Sequence, residues 1–238
     1  MQDTPKILFE DNHLLVAVKP AGVLSQSDPT GAPDMLTLLK AYLVEKYNKP
    51  GEAYLGLLHR LDRPVRGVMV FAKTSKCASR ISEQIRNRTV KKKYRAVVYG
   101  DVEQKKGEIR SFLLKDPKTN LVKVFQDKAS APKDAKECFL EYEVLDTGRI
   151  AGVPVTLLSI DLHTGRSHQI RAQLSSIGHP IVGDRKYGKG PNRFSGDILL
   201  ESYYLAIDHP VNRERMEFAI PLSCEEPWNQ FHKEKENG

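Results

Sequence analysis

Residues 137–145 read Glu-Cys-Phe-Leu-Glu-Tyr-Glu-Val-Leu, and this stretch decides the fold class. Three glutamates recur on one side of the pattern, and the other side carries Cys138, Leu140, Tyr142 and Val144. Alternation of polar and apolar residues is typical of an antiparallel strand with one face in water and one on a core. We therefore predict a half-buried strand over residues 138–145.

Short segments on both sides of this stretch repeat the strand signal, and turn residues separate them. The predicted strands cover residues 7–10, 14–18, 68–71, 94–99, 109–114, 121–125, 155–162, 198–207 and 216–220. Three helices are interspersed. Asp34 caps the first, Ser75 opens the second, and Ser167 caps the third, which ends before Gly178. Strands joined mainly by hairpins favour an α+β fold with a mixed, mostly antiparallel sheet.

The length of 238 residues fits one domain, which we place over residues 1–225, with a partly flexible tail over 226–238. The chain is 40% hydrophobic and 28% charged, as in ordinary globular proteins. Its three cysteines form no CxxC pair, and no apolar run reaches the ~20 residues of a membrane span. We expect a cytoplasmic monomer, and neither a disulfide scaffold nor a membrane protein.

The positive charge is concentrated in two segments, although the formal net charge is only +7. Residues 60–95 contain twelve Lys and Arg against two acidic residues, and residues 161–193 contain six against two. The rest of the chain is therefore net acidic. Segregated positive charge is typical of a surface for polyanions, most often nucleic acid. A solvated helix end and turn would also account for the run from Arg86 to Lys93.

The first basic segment begins in the motif His59-Arg60-Leu61-Asp62, which precedes Arg63-Pro64-Val65-Arg66-Gly67 and an apolar strand. Three arginines therefore surround Asp62 in the sequence. Positive charge nearby keeps a carboxylate ionised, and an ionised carboxylate can attack carbon or stabilise a cation. The alternative interpretation is a salt-bridge cluster on the surface.

The end of the same segment reads Lys91-Lys92-Lys93-Tyr94, with Tyr94 at the start of a predicted strand. A tyrosine next to three lysines can present a flat ring at a basic surface, where a nucleic-acid base stacks for ~1–3 kcal/mol. The alternative is a strand tyrosine that packs in the core.

The second basic segment contains His-Thr-Gly-Arg-Ser-His-Gln-Ile-Arg at residues 163–171. Gly165 permits a turn into the helix that Ser167 caps, and the N–H groups of a helix start favour an anion such as phosphate. Arg171 lies at the border of the core, so it needs a carboxylate partner unless it is an ordinary surface arginine. The spacing of the histidines at 163, 168 and 179 matches no standard zinc site, so we expect no metal.

Taken together, these motifs resemble the RluA-type family of pseudouridine synthases, which isomerise uridine in RNA to its carbon-linked form. The matching text is HRLD with Gly67 five residues after the aspartate, KKKYRAVVYG at 91–100, HTGRSHQIRAQL at 163–174 and GHPIVGDRKYG at 178–188. KPAGVLS at 19–25 is similar to the opening strand and turn of the family. The motifs follow the family order over about residues 6–222.

The resemblance implies an isomerase whose essential aspartate is Asp62, with Arg60 two residues before it. It also implies that Tyr94 is the active-site tyrosine and that Arg171 is the basic residue paired with the aspartate. The implied fold is a mixed, mostly antiparallel sheet flanked by helices, with the site in a central cleft. The implied partner is RNA, and no organic cofactor or metal is implied. We expect RNA contacts from Arg60, Arg63, Arg66, Lys91, Lys92, Lys93, Arg166 and His168.

Two features depart from the family pattern. Val65-Arg66 stands where Thr-Ser is common, which affects loop geometry and the choice of target more than the chemistry. Only 58 residues precede His59, so we expect that the small N-terminal RNA-binding domain of many relatives is absent. The catalytic domain itself would then have to recognise the target RNA.

The sequence leaves several alternatives open. A non-catalytic RNA-binding module of the same fold would explain the basic segments, and a nucleoside glycosidase would explain a reactive carboxylate. The target RNA, ribosomal or transfer, stays open, as do the uridine position and the number of sites. The chemical route of Asp62 is also open.

Overall fold

The computed structural model describes residues 4–188 and 194–232. Its elements are β1 (Ile7–Glu10), β2 (Leu14–Lys19), α1 (Met35–Lys46), β3 (Gly56–Leu57), β4 (Arg66–Ala72), α2 (Ser75–Arg86), β5 (Lys91–Tyr99), β6 (Lys106–Lys115), β7 (Val122–Phe125), β8 (Lys136–Ile150), β9 (Val153–Leu162), α3 (Gln169–Ser176), β10 (Leu200–Asp208) and β11 (Arg215–Ala219). A 3₁₀ helix follows at Trp228–Phe231. These elements belong to two compact units, Met1–Lys92 with Ser202–Ile220, and Lys93–Glu201 with Pro221–Gly238. The prediction of one domain over residues 1–225 stays a prediction.

The first unit is built on strands in the order β1, β2, β4, β10 and β11. The β1–β2, β2–β4 and β10–β11 pairs are antiparallel. Apolar residues of these strands pack with Cys77 and Ile81 of α2 in one core cluster. The predicted cap of α1 is confirmed, because the Asp34 side chain accepts the N–H of Thr37 at 3.1 Å.

The second unit is built on strands in the order β5, β9, β8, β6 and β7, and each pair is antiparallel. Its main apolar cluster includes Val97, Val155 and Leu157. Phe231 of the 3₁₀ helix is 7% exposed and belongs to the same cluster, so the predicted tail is anchored at this point. The rest of the tail that was predicted to be partly flexible, residues 233–238, lies outside the described residues.

Two strand boundaries correct the sequence interpretation. β8 continues to Ile150, past the predicted end at Leu145, because the register shifts between Val144 and Asp146. Such a bulge inserts one residue and breaks the alternation that the prediction relied on. β5 begins at Lys91, so the three lysines before Tyr94 belong to the strand and do not form a turn.

The start of α3 is also different from the prediction. The helix begins at Gln169, and its N-cap residue is His168, which has a φ of 54° and makes no side-chain capping hydrogen bond. Ser167 lies in the exposed turn before it. The prediction that Ser167 caps the helix was therefore wrong, because the left-handed backbone at His168 moves the helix start by one residue.

The α+β class with a mainly antiparallel sheet is confirmed, since every strand ladder given above is antiparallel. Within residues 4–188 and 194–232, none of the helices has the length and apolar character needed to cross a bilayer.

Candidate active site

Asp62 lies on the loop that enters β4, and it is partly exposed. Its carbonyl oxygen accepts the N–H of Val65 at 2.9 Å, which closes a tight turn around Arg63 and Pro64. The preceding residue, Leu61, is held by Ser25, whose Oγ accepts the Leu61 N–H at 3.0 Å and donates to the Leu61 carbonyl at 2.8 Å. The loop backbone is therefore fixed immediately on both sides of Asp62.

Lys19 supports the other side of this turn, a role that was not predicted from the sequence. The residue is 0% exposed, and its Nζ donates to the carbonyls of Pro20, Val23 and Arg63 at 2.9, 2.6 and 2.9 Å. Burial lowers the pKa of Lys19 to about 7, although the charge of Asp62 raises it. The sequence signal for this supporting role is a lysine directly after five apolar strand residues.

The opening turn and the Asp62 turn also exchange backbone contacts. The N–H of Gly22 donates to the Arg63 carbonyl at 2.9 Å, and Nε of Arg63 donates to the Gly22 carbonyl at 3.0 Å. Residues 19–25 therefore hold the Asp62 loop through backbone and side-chain hydrogen bonds. This explains physically why two motifs distant in sequence occur together.

Gly67 permits a close approach behind the loop. A Cβ atom at this position would lie 2.5 Å from the Cβ and the carbonyl oxygen of Ser202. No side chain fits there, so the glycine is a packing requirement. Val65 is 3% exposed, so the hydroxyl of the threonine common in the family would also be buried here.

His59 is a neutral, half-buried ring at the start of the motif. Its Nε2 accepts the N–H of Val70 at 3.1 Å, which places the proton on Nδ1. Burial, followed by the charge of Lys92, holds the pKa of His59 well below 6.5. Nδ1 is buried and has no hydrogen-bond partner among the described residues. Burial also lowers the pKa of Lys92, to about 8.

Tyr94 lies in β5 of the second unit, opposite Ile160 of β9. It is 7% exposed, so its ring is enclosed by protein and is not displayed on an open basic surface.

Arg171 lies in α3, is 4% exposed and has a buried carboxylate partner in Asp184. Nε donates to Oδ2 at 2.8 Å and Nη2 donates to Oδ1 at 2.7 Å, which is a two-point ion pair. Burial alone would raise the pKa of Asp184, but the hydrogen bonds and charge of Arg171 lower it below its usual value. The sequence analysis required a carboxylate for Arg171 and did not identify Asp184. The sequence signal for this partner is the acidic residue within the motif GHPIVGDRKYG.

The loop before α3 is organised by Gln169, which is 2% exposed. Its Oε1 accepts from the Thr164 hydroxyl at 2.9 Å and from the Arg166 N–H at 3.1 Å. Its Nε2 donates to the carbonyl of Phe139 in β8 at 3.2 Å. The loop is therefore held to the sheet, and Arg166 stays exposed to solvent.

The predicted RNA contacts are divided between the two units. Exposed positions are Arg60, Arg63, Lys91 and Arg166, and partly buried positions are Arg66, Lys92, Lys93 and His168. In the first unit, the structure gathers three of these arginines on the Asp62 loop. In the second unit, it places Arg166 and His168 on the loop that leads to Arg171.

Comparison with known proteins identifies the family. The family model described as RNA pseudouridylate synthase matches residues 13–176. This chain belongs to the RluA-type family of RNA pseudouridine synthases. Members are isomerases, so this pseudouridine synthase is an RNA-modifying enzyme by family.

Relatives match the synthase over most of its length. It is 31% identical to tRNA pseudouridine synthase C of Haemophilus ducreyi, over 94% of this chain and 95% of the relative. It is 32% identical to the dual-specificity RNA pseudouridine synthase RluA of Vibrio vulnificus, over 91% of this chain and 82% of the relative. The solved structure of human RNA pseudouridylate synthase domain containing 1 has the same fold, with a TM-score of 0.74 and 24% identity over 91% of this chain and 83% of that one.

Within residues 4–188 and 194–232, His, Cys, Asp and Glu side chains form no group of three or more that could hold an ion.

Proposed function

We propose that this synthase converts a specific uridine, or a small set of uridines, in structured ribosomal or transfer RNA to pseudouridine through Asp62. The observation that carries the proposal is the construction of the Asp62 loop, in a chain that belongs to this family. Ser25 and Lys19 fix the loop backbone while the carboxylate stays partly exposed. A reactive group on a rigid loop is pre-oriented for attack, which lowers the barrier. The names of the two bacterial relatives support an RNA target.

The reaction breaks the bond between N1 of uracil and the anomeric carbon, and it forms a bond from C5 to the same carbon. The target nucleotide first leaves the RNA stack, which costs a few kcal/mol. Asp62 then either attacks the anomeric carbon or assists the loss of a neighbouring sugar proton. In both routes a carboxylate meets positive charge that develops on the sugar, as in glycosidases. The C5 proton leaves at the end and N1 gains a proton, so the reaction is balanced without water or cofactor.

Tyr94 and Arg171 have supporting roles in the proposal. The ring of Tyr94 stacks on the freed uracil while it turns, and its hydroxyl assists removal of the C5 proton. Arg171 has the role that the resemblance implies, as the basic residue paired with Asp62. The Asp184 carboxylate accepts hydrogen bonds from Nε and Nη2 of this guanidinium and so fixes its orientation. Arg60 contacts RNA and supports flipping.

RNA binding in the proposal comes from the remaining basic residues on the loops and on the start of β5. Phosphate contacts release counterions, so affinity should fall steeply as the salt concentration rises. We also propose that the protein acts in the cytoplasm as a monomer. Light scattering of the purified chain tests the oligomeric state.

The decisive experiment uses Asp62→Asn, with Asp134→Asn on an exposed loop as the matched control. Total RNA from cells that lack the gene is incubated with each protein, and pseudouridine is mapped by carbodiimide labelling and primer extension. We expect modification at defined positions with the wild type and the control, and none with Asp62→Asn. Affinity of Asp62→Asn for the RNA should stay within about threefold, because the carboxylate acts on the reacting sugar.

Two results would contradict the proposal. Pseudouridine formed by the Asp62→Asn protein would remove Asp62 from the mechanism. RNA binding by the wild type without any new pseudouridine would favour the non-catalytic RNA-binding module. An assay with free uridine separates the glycosidase alternative, which predicts uracil release.

A further inference from the structure

Tyr187 connects several parts of the second unit that surround Arg171. It lies in the turn after α3, within the motif GHPIVGDRKYG, and none of the proposed roles above uses it. The backbone N–H of Tyr187 donates to Oδ1 of Asp184 at 3.2 Å, the same oxygen that accepts Nη2 of Arg171 at 2.7 Å. A movement of Tyr187 therefore changes the acceptor that fixes the guanidinium.

The ring of Tyr187 also faces Arg171 directly. Cζ of Arg171 lies 5.3 Å from the centroid of this ring, which is within the range of a cation–π contact. The carbonyl of Tyr187 accepts the hydroxyl of Ser175 at 2.8 Å, which binds the turn back to α3. Backbone and ring together hold the turn against the helix that carries Arg171.

The hydroxyl of Tyr187 makes two further contacts with other elements. It accepts the N–H of Val122 in β7 at 2.9 Å, and it lies 2.8 Å from Nδ1 of His168 at the start of α3. The hydroxyl donates to Nδ1 when the imidazole proton is on Nε2, and it accepts from Nδ1 when the proton is on that nitrogen. The two rings also meet edge to face, with centroids 5.6 Å apart.

We propose that Tyr187 is a positioning residue for Arg171, and that its hydroxyl couples the arginine to β7 and to His168. The inference rests on the proposed function, because it assumes that Arg171 acts in the reaction. Arg171 and Asp184 are buried, so a displacement of either side chain disturbs the close packing around the pair, to which Tyr187 contributes. Loss of the hydroxyl leaves the ring contact and removes the connection to β7. The pair then samples more positions, and the reaction slows without a change in RNA affinity.

The test compares Tyr187→Phe, which keeps the ring, with Tyr187→Leu, which removes it, and with Tyr54→Phe at an exposed site as the control. Single-turnover rates are measured with excess enzyme on total RNA from cells that lack the gene. We expect a maximal rate about tenfold lower for Tyr187→Phe and a larger loss for Tyr187→Leu, since misplaced groups slow reactions by such factors. The half-saturating enzyme concentration should change less than twofold.

A double-mutant cycle with Arg171→Lys distinguishes positioning from general stability. If Tyr187 acts through the guanidinium, Tyr187→Phe slows the wild type but changes the rate of the Arg171→Lys protein less than twofold. Equal slowing in both backgrounds, or a wild-type rate for Tyr187→Phe, would overturn the inference. Rates are expressed per folded enzyme, which circular dichroism and RNA-binding titration measure for each variant.

The same assays distinguish a failure of the proposed function from a failure of the inference about Tyr187. Activity in Asp62→Asn, or a wild-type rate in Arg171→Lys, contradicts the proposed roles of those residues. Loss of activity in both, without coupling to Tyr187, contradicts only the inference about Tyr187.

Discussion

Arg171 and Asp184 form a two-point ion pair in which the side chains are 5% and 0% exposed. They are 13 positions apart in the sequence, and the turn after α3 brings the carboxylate back to the helix. Asp184 also accepts the N–H groups of Lys186 and Tyr187, so its oxygens have four donors in total. Buried charges are tolerated only when they are satisfied in this way. The pair therefore fixes the arginine before any substrate binds.

Asp184→Asn should lower both stability and the catalytic rate. The buried guanidinium loses its counter-charge, which typically costs about 3 kcal/mol when one partner of such a pair is removed. We expect a reduced free energy of unfolding in urea and a single-turnover rate at least about tenfold lower, with RNA affinity little changed. Glu108→Gln breaks the exposed Arg110 pair and is the matched control, with an expected loss below about 0.5 kcal/mol. Equal effects of the two substitutions would contradict this interpretation.

Lys19→Met should destabilise the Asp62 loop. Methionine has a similar length, but it removes the Lys19 donor from the carbonyls of Pro20 and Val23 and leaves the Arg63 carbonyl with the N–H of Gly22 alone. Each unsatisfied buried group costs about 1–3 kcal/mol. We expect a large drop in the urea midpoint and slower turnover in the fraction that remains folded. Lys49→Met at an exposed position provides the control, and a wild-type midpoint for Lys19→Met would disprove the supporting role.

Glu10→Gln should change the dependence of stability on pH. Burial raises the pKa of Glu10, but hydrogen bonds from two lysines and two tyrosines outweigh it and lower the pKa to about 2. These donors are Lys46, Lys73, Tyr47 and Tyr42. A carboxyl with a lowered pKa stabilises the fold above its unfolded value of 4.5, and this stabilisation is lost as the pH falls toward 2.

The wild type should therefore be more stable than Glu10→Gln by about 1–3 kcal/mol at pH 7, with the difference closing between pH 4.5 and pH 2. Urea unfolding at several pH values measures this difference. Glu52→Gln, at a carboxylate that is 92% exposed, should show no such trend. A constant difference at all pH values would mean that the charge of Glu10 is not the source of the stabilisation.

Lys91→Gln should weaken RNA binding through the loss of one phosphate contact. Lys91 is exposed at the start of β5, beside the partly buried Lys92. We expect the slope of log affinity against log salt to fall by about one unit, with the maximal rate unchanged. Lys76→Gln on α2 removes an equal charge at another exposed position. The same loss of slope for both substitutions would show that the effect is one of net charge.

Much of the site could be predicted from the sequence because its residues lie in local motifs. The strand segments, the Asp34 cap and the motifs around Asp62, Tyr94 and Arg171 all depend on neighbours within a few residues. The alternation of polar and apolar residues indicates which face of a strand is buried, and a helix cap depends on residues close to the helix end in sequence. The prediction failed at Ser167 and at the end of β8, where backbone conformation and a bulge override the local pattern.

The sequence by itself determined the fold class, the family and the residues proposed for the reaction. These follow from the periodicity of polar and apolar residues and from motifs that can be recognised without a structure. Only the tertiary structure decided which groups hold those residues in place. Lys19 reaches the carbonyl of Arg63 across 44 positions, and Asp184 meets Arg171 across a turn. Burial lowers the pKa of Lys19, whereas the hydrogen bonds and charge of Arg171 lower the pKa of Asp184. Both effects depend on contacts between segments that no local pattern records.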